Sequence, residues 1–425
     1  MSKCVVAGIN WGDEGKGRMV DLFTEEYDVV VRYQGGGNAG HTVVNEKGKF
    51  ALHLLPSGIL RKGVMNILGN GVAVDMENLC LEIDDLRSKG VEISPENLRI
   101  SSRASILLPW HRVLDGLEED RLAGQKYGST RQGIAPFYSD KYQKKTIMMG
   151  ELFYPERLKE HAKELLVWKN LILTGVYGSE AEDYGRLMEH LTTYGDRLKP
   201  YICDTGALLS KAEEEGKNIM FEAQLGALKD LDMGIYPYTT SSNTLASYAP
   251  IGAGVPAMKI DKVVGIVKAY SSAVGEGPFV SEWTGENGDK LREAGAEYGA
   301  KTGRARRVGA FDVVATRYGV KMQGADSIAL TKLDVLGYMP SIPVCVQYNV
   351  GGELTDDFPF PDSLYSASPV YVSLPGWKCD ISSARRWEDL PEEAKNYVLF
   401  IEEKIGCKIE YISVGARREE YIHRI

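Results

Sequence analysis

Apolar residues in this chain fall into short runs ended by glycine, interleaved with longer stretches of helical spacing. Residues 4–7 are long enough for one buried strand and residues 29–31 for a second, while 52–58 and 65–72 read as strands closing in glycine turns. Asp75 opens a helical pattern that lasts to Ser88, and residues 98–108 return to strand. Residues 157–217 are mainly helical. Leu158, Ala162, Leu165 and Leu166, then Leu187, Leu191 and Leu198, mark two amphipathic helices, and Ala207 begins a third. Further strands are expected at 218–221, 263–267, 328–330, 343–346 and 409–412, with a helix over 392–404.

Strands alternating with helices predict an α/β fold with a large, mostly parallel central sheet flanked by helices, P-loop-NTPase-related, with helical and loop insertions. The expected organisation is a single domain over 1–425 with a helical insertion at about 151–217. The net charge of −9 argues against broad nucleic-acid binding, so any arginine cluster calls for a local cause such as a small anion. No apolar run is long enough to span a bilayer, and the first residues lead straight into a strand without a targeting pattern. Six cysteines are scattered without C-x-x-C spacing, as buried free thiols of a reducing cytoplasm are.

Candidate chemistry begins at the first strand's end. Trp11-Gly12-Asp13-Glu14-Gly15-Lys16-Gly17-Arg18 joins that strand to a helical pattern at 19–23. Glycines there let backbone N–H groups approach phosphate oxygens, the helix N-terminus adds a favourable dipole, and Lys16 supplies a mobile positive charge. The usual phosphate-loop pattern needs glycine at position 10 and a hydroxyl at 17, where this chain has Asn10 and Gly17. The hydroxyl that would hold Mg²⁺ is therefore missing, and Asp13 and Glu14 are the nearest replacements. A carboxylate beside phosphates is repelled unless a cation intervenes or the group works as a base. The bland alternative is an acidic turn with helix-capping acids.

A second glycine-rich loop, 34–40, follows the second strand and offers Asn38 as an amide and His41 as a titratable imidazole. Asp13 and His41 on either side of a phosphate site form the sharpest acid–base constellation in the sequence. His53, inside an apolar run, reads as core. The 127–138 stretch, with Ser129 and Thr130, is either a phosphate-binding loop or an ordinary surface loop. Arg304, Arg306 and Arg307 follow a glycine turn and read as a clamp for small anions, against the alternative of a solvated basic turn. Thr331-Lys332-Leu333-Asp334 at a strand end matches T-K-x-D, in which one carboxylate accepts from both N1–H and the 2-amino group of guanine, and the lysine stem packs over the base.

Residues 11–17, followed by Gly36-Gly37-Asn38-Ala39-Gly40-His41-Thr42 with Gln34 just ahead, resemble the adenylosuccinate synthetase family, whose members join IMP to L-aspartate at the expense of GTP. The likeness runs from about residue 3 to 425. It implies Asp13, His41 and Lys16 as catalytic, with Mg²⁺ as cofactor on Asp13 and the Gly40 carbonyl. GTP would meet Gly12, Glu14, Gly15, Lys16, Gly17, Arg18, Gly40, Thr42, Arg306, Lys332, Asp334, Ser413 and Gly415. IMP would meet Asp13, Asn38, Ala39, Thr130, Gln224, Leu225, Thr240, Val274 and Arg304, with Lys144 reaching across from the neighbouring subunit of a homodimer. Aspartate would lie on Ala300, Lys301, Thr302, Gly303 and Arg304.

The chain departs from the family pattern at several of these places. Gln132 stands where the family has arginine, with Arg131 one place early. Lys144 and Ala273 also replace arginines, Lys301 replaces a threonine, and Ala416 a proline. Leu225 replaces a glutamine, with Gln224 one residue early. The implied reaction gives adenylosuccinate, GDP and phosphate through 6-phosphoryl-IMP, in a cytoplasmic ligase of AMP synthesis. Two alternatives remain: the same chemistry on another 6-oxopurine nucleotide such as dGMP, or a GTP-binding regulator without catalysis.

Overall fold

In the computed structural model, residues 1–38, 40–45, 48–299 and 303–424 are described, with the side chains at 41, 42, 44, 45 and 49 excepted. The expectations for Ala39, Ala300, Lys301 and Thr302, and for the side chains of His41 and Thr42, lie outside the described residues.

The first apolar run becomes β1 (Lys3–Gly8), buried at every position, as a strand covered on both faces must be. The rest of its sheet comprises β2 (Val29–Arg32), β3 (Met65–Leu68), β4 (Leu98–Ser101), β5 (Ile202–Cys203), β6 (Ile219–Gly226), β7 (Lys262–Lys268), β8 (Ser327–Thr331), β9 (Ile409–Ser413) and β10 (Tyr421–His423). Across the sheet the order is β10-β9-β8-β7-β1-β6-β2-β3-β4-β5. Neighbours are parallel except β9 and β10. A parallel sheet brings the carboxyl ends of its strands to one edge, and ligands bind along that edge. The loops after β1, β2, β6, β7, β8 and β9 all open there.

Helices cover the sheet: α1 (Lys16–Phe23), α2 (Met76–Ser88), α3 (Pro109–Leu122), α4 (Ile134–Tyr142), α5 (Pro155–Gly175), α6 (Tyr184–Leu198), α7 (Thr205–Glu214), α8 (Val313–Gln323) and α9 (Glu392–Ile405). Asp75 caps α2 by accepting from the Asn78 N–H at 3.1 Å, which explains why that helix starts where the sequence suggests. One apolar cluster packs α2, α5 and α6 over the β3–β4 side, and another packs α9 over the β8–β9 side.

Four expectations change. The run at 98–108 is not one strand: it breaks into β4 and the short strand Ser105–Ile106 before Pro109 starts α3. Within 127–138, helix α4 takes over at Ile134. The helical stretch 157–217 contains β5, which joins the sheet edge. The apolar run at 343–346 belongs to a separate four-stranded sheet, in which Ser341–Val350 pairs antiparallel with Ala367–Pro375.

Candidate functional site

Gly12 and Gly15 both take positive φ, 95° and 93°, and Asp13 between them is held at +58°, a left-handed conformation that costs a non-glycine residue energy. Glu14 points inward. Its carboxylate accepts from the N–H groups of Asn10 at 3.1 Å and Gly12 at 2.8 Å and from Lys16 Nζ at 2.6 Å, so an internal anion gathers the donors of this loop. Thr331 Oγ1 donates to the Glu14 carbonyl at 2.6 Å, which stitches the T-K-x-D strand end directly to the phosphate loop.

On the far side of that loop, the Arg18 guanidinium donates to Ser413 Oγ and, at 3.0 Å, to the Glu420 carbonyl, joining α1 to the turn after β9. Arg418 holds Asp21 of α1 through two bonds of 2.8 and 2.9 Å. Asp334 lies beside this junction. Burial pushes its carboxyl up from the ordinary value, opposed by Lys332 and Arg18, and its Oδ1 is buried without a hydrogen-bond partner. Lys332 anchors its ammonium on the Gly295 carbonyl, 3.4 Å from Glu297.

A cleft of about 950 Å³ opens on the other side of Asp13. Asp13, Asn38, Gly40, Thr130, Leu225, Thr240, Val274 and Arg306 line it, so much of the expected IMP set converges. Asn38 Oδ1 and Thr240 Oγ1 are buried there without partners. Arg306 Nε stands 3.0 Å from Asp13, and its Nη1 donates to Glu297 at 2.8 Å. Burial works against the ionised form of Glu297, but Lys268, Lys332 and Arg306 together hold it well below the usual carboxylate range. Glu297 is thus a buried hub between the arginine loop and the T-K-x-D motif.

Gln224 does not reach the cleft. Its Oε1 accepts from the Gly36 N–H at 3.0 Å and its Nε2 donates to the Gly36 carbonyl at 2.7 Å, bracing the second glycine loop. The pairing of β1 with β6 shifts register between Val6 and Gly8, and Leu225 sits at that irregularity with φ +59°. A bulge of this kind re-aims successive side chains, which turns Gln224 inward and leaves Leu225 on the cleft wall. Ala273, where the family pattern has arginine, packs among Trp11 and Phe279 in an apolar cluster. Arg131 is ion-paired with Asp120 away from the cleft, while Gln132 lines it. Arg304 is partly exposed and pairs with Glu276 at 3.0 Å. Lys144 is exposed in the turn after α4, outside the cleft lining.

His53 is a correction: it lines the cleft rather than the core, its ring lying where a Cβ on Gly40 would meet it at 3.3 Å. Trp11, at the head of the phosphate loop, also lines the cleft, and so does Lys229, which no motif marked. Among the described residues no group of three or more His, Cys, Asp or Glu could hold a metal ion. Asp13 and Gly40 line the same cleft, and Mg²⁺, which keeps water and phosphate oxygens, needs few protein oxygens. No helix among the described residues is long and apolar enough to cross a membrane.

A family model described as adenylosuccinate synthetase matches residues 5–422. The chain is 46% identical over 423 residues to the adenylosuccinate synthetase of Caldanaerobacter subterraneus subsp. tengcongensis, covering 99% of each. It is 45% identical over 423 residues to that of Heliobacterium modesticaldum, again covering 99% of each. The structure of fully ligated adenylosuccinate synthetase from Plasmodium falciparum superposes with a TM-score of 0.93 at 34% identity, over 99% of both chains. Succinoaminodeoxyadenylate synthetase of cyanophage S-2L, bound to dGMP and dATP, shares the fold with a TM-score of 0.61 at 17% identity, over 99% of this chain and 95% of that one. A phosphate loop stitched to a guanine-type motif, beside a cleft of converging polar groups, is thus matched by likeness over nearly the whole length, and the chain belongs to the adenylosuccinate synthetase family.

Proposed function

We propose that this ligase joins IMP and L-aspartate with GTP, giving adenylosuccinate, GDP and phosphate through 6-phosphoryl-IMP. One observation carries the reading most: Asn38 Oδ1, Thr240 Oγ1 and Asp334 Oδ1 are buried without partners, and these are residues assigned to the two nucleotides. Buried polar atoms are nearly always paired, so such orphans mark places where a ligand completes the bonding.

Asp13 takes the proton from N1 of IMP, which makes the 6-oxygen an anionic nucleophile toward the γ-phosphate of GTP. Lys16, held here by Glu14, and those N–H groups of the loop that Glu14 leaves free face the charge that spreads over the phosphoryl oxygens. His41 is assigned by sequence as the acid on the transferring group. Asp13 and the Gly40 carbonyl would hold Mg²⁺, which when bound neutralises charge between the phosphates. Arg304 exchanges Glu276 for the carboxylates of aspartate, whose amine then displaces phosphate at C6. Expelling phosphate is far easier than expelling an oxide, which is why GTP is consumed.

A homodimer fits the surface. Val167, Trp168 and Leu171 of α5 are 61%, 41% and 61% exposed, and Lys145, next to Lys144, sits over the Trp168 ring at 4.7 Å. Sedimentation at micromolar concentration tests this, and a monomer with all substrates present contradicts it.

A second reading, the same chemistry on another 6-oxopurine nucleotide, has Leu225 behind it, because a cleft wall without an amide there reads the purine differently. Rates with IMP, dIMP, GMP and dGMP, each with GTP, Mg²⁺ and aspartate, separate the two. Preference for IMP is expected, and preference for a guanine monophosphate overturns the choice of acceptor.

A further inference from the structure

We propose that Lys229 is a substrate-binding residue, its ammonium receiving the 5′-phosphate of the acceptor nucleotide; this rests on the function proposed above. Lys229 lies just after β6 at the base of a loop that folds back on itself, with the Ile235 N–H donating to the Leu228 carbonyl at 3.0 Å and the Thr240 N–H to the Lys229 carbonyl at 2.9 Å. Its residue is only 8% exposed, yet it lines the cleft.

The Lys and Arg residues that line the cleft differ in one respect. Lys169 is paired with Asp140 at 2.5 Å, and Arg306 with Asp13 and Glu297. Lys229 has no carboxylate within ion-pair distance among the described residues; its ammonium donates to the Tyr238 carbonyl at 2.9 Å. Burying a cation without a counter-charge is costly, and such a group is retained where an anion arrives to complete it. Burial, with Arg307 nearby, pushes the amine down to about 8, and Glu276 opposes that shift.

The anion it fits is a phosphate monoester. Thr240, hydrogen-bonded through its backbone to Lys229, has its Oγ1 buried and unpartnered, and Thr130, Thr239 and Ser241 line the same cleft. An ammonium and several hydroxyls lining one cleft suit the several acceptor oxygens of a phosphate. A purely structural role would leave Lys229 as a brace for the Tyr238 carbonyl, and that role needs no charge.

The test is calorimetric titration of the full chain with IMP and with inosine, which lacks the phosphate, alongside turnover with IMP, GTP and aspartate. Wild-type turnover is measured first, so that failure of the overall reading is seen separately. Lys229→Met should weaken IMP by about 10- to 100-fold and inosine by less than about 2-fold, while Lys229→Arg keeps IMP within about 5-fold of wild type. Should Lys229→Met fail to fold, Lys229→Gln, which keeps a donor for Tyr238 without charge, serves the same comparison. Equal weakening of IMP and inosine, unchanged IMP binding, or a change confined to the KM of aspartate or GTP would overturn the assignment.

Discussion

Asp334→Asn separates recognition of the guanine base from everything else in the site. Asp334 Oδ1 is buried without a partner, and its carboxyl faces Lys332 and Arg18 across the junction of β8 with α1. A carboxylate there accepts from N1–H and from the 2-amino group of guanine, two charge-assisted bonds worth about 1.5–3 kcal/mol each. An asparagine can accept from only one of the two donors and turns its own N–H toward the other. The loss is then at least one such bond, about 2–4 kcal/mol once the clash is included, or about 30- to 1000-fold in kcat/KM for GTP. Xanthine presents an oxygen in place of the 2-amino group, so the same amide suits XTP. Phosphate release with IMP and aspartate, measured across GTP and XTP concentrations, should show the ratio of kcat/KM values inverted in favour of XTP. Unchanged preference for GTP would refute the assignment of Asp334, whatever the absolute rate.

Asp13→Ala should lower kcat by about 10²- to 10⁴-fold while the KM for GTP moves less than about 3-fold, as loss of a base does; a change in KM alone contradicts that role. Leu225→Gln places an amide on the cleft wall and should lower the KM for IMP by about 2- to 10-fold, one net hydrogen bond's worth; an unchanged KM means that the side chain does not face the purine. Asp312, buried and capping α8 while accepting from Tyr348 at 2.7 Å, has its carboxyl pushed up to about 6 by burial. The folded state therefore holds a proton that the unfolded chain releases near its ordinary value. Stability from this group is full below pH 3.8 and falls as pH rises to about 6, by roughly 3 kcal/mol. Urea unfolding of Asp312→Asn should lack that slope; an identical slope in both proteins contradicts the account.

What the sequence made legible was local. The phosphate loop could be read because a buried strand, glycines with φ > 0 and a lysine must follow each other directly, and T-K-x-D because its residues end a strand of pure core. The likeness puts both Leu225 and Gln224 on IMP, yet a bulge against β1 turns only Leu225 to the cleft, and a bulge leaves no mark in composition. His53 read as core because its neighbours are apolar; only the approach of the Gly40 backbone shows that it borders the site. Lys229 sits in a short stretch that could equally be surface, and its burial depends on the loop that returns to Thr240. The strand at 341–350 was legible as a strand, but its pairing with 367–375 rather than the main sheet is a property of the distant segment.

The central claim is that the purine oxygen is made into a leaving group on phosphate before the amine of aspartate displaces it. IMP labelled with ¹⁸O at the 6-position, incubated with GTP, Mg²⁺ and aspartate, tests it directly by mass spectrometry of the inorganic phosphate released. The account predicts one ¹⁸O atom in each phosphate formed with adenylosuccinate. Label recovered in water, with unlabelled phosphate, would contradict it.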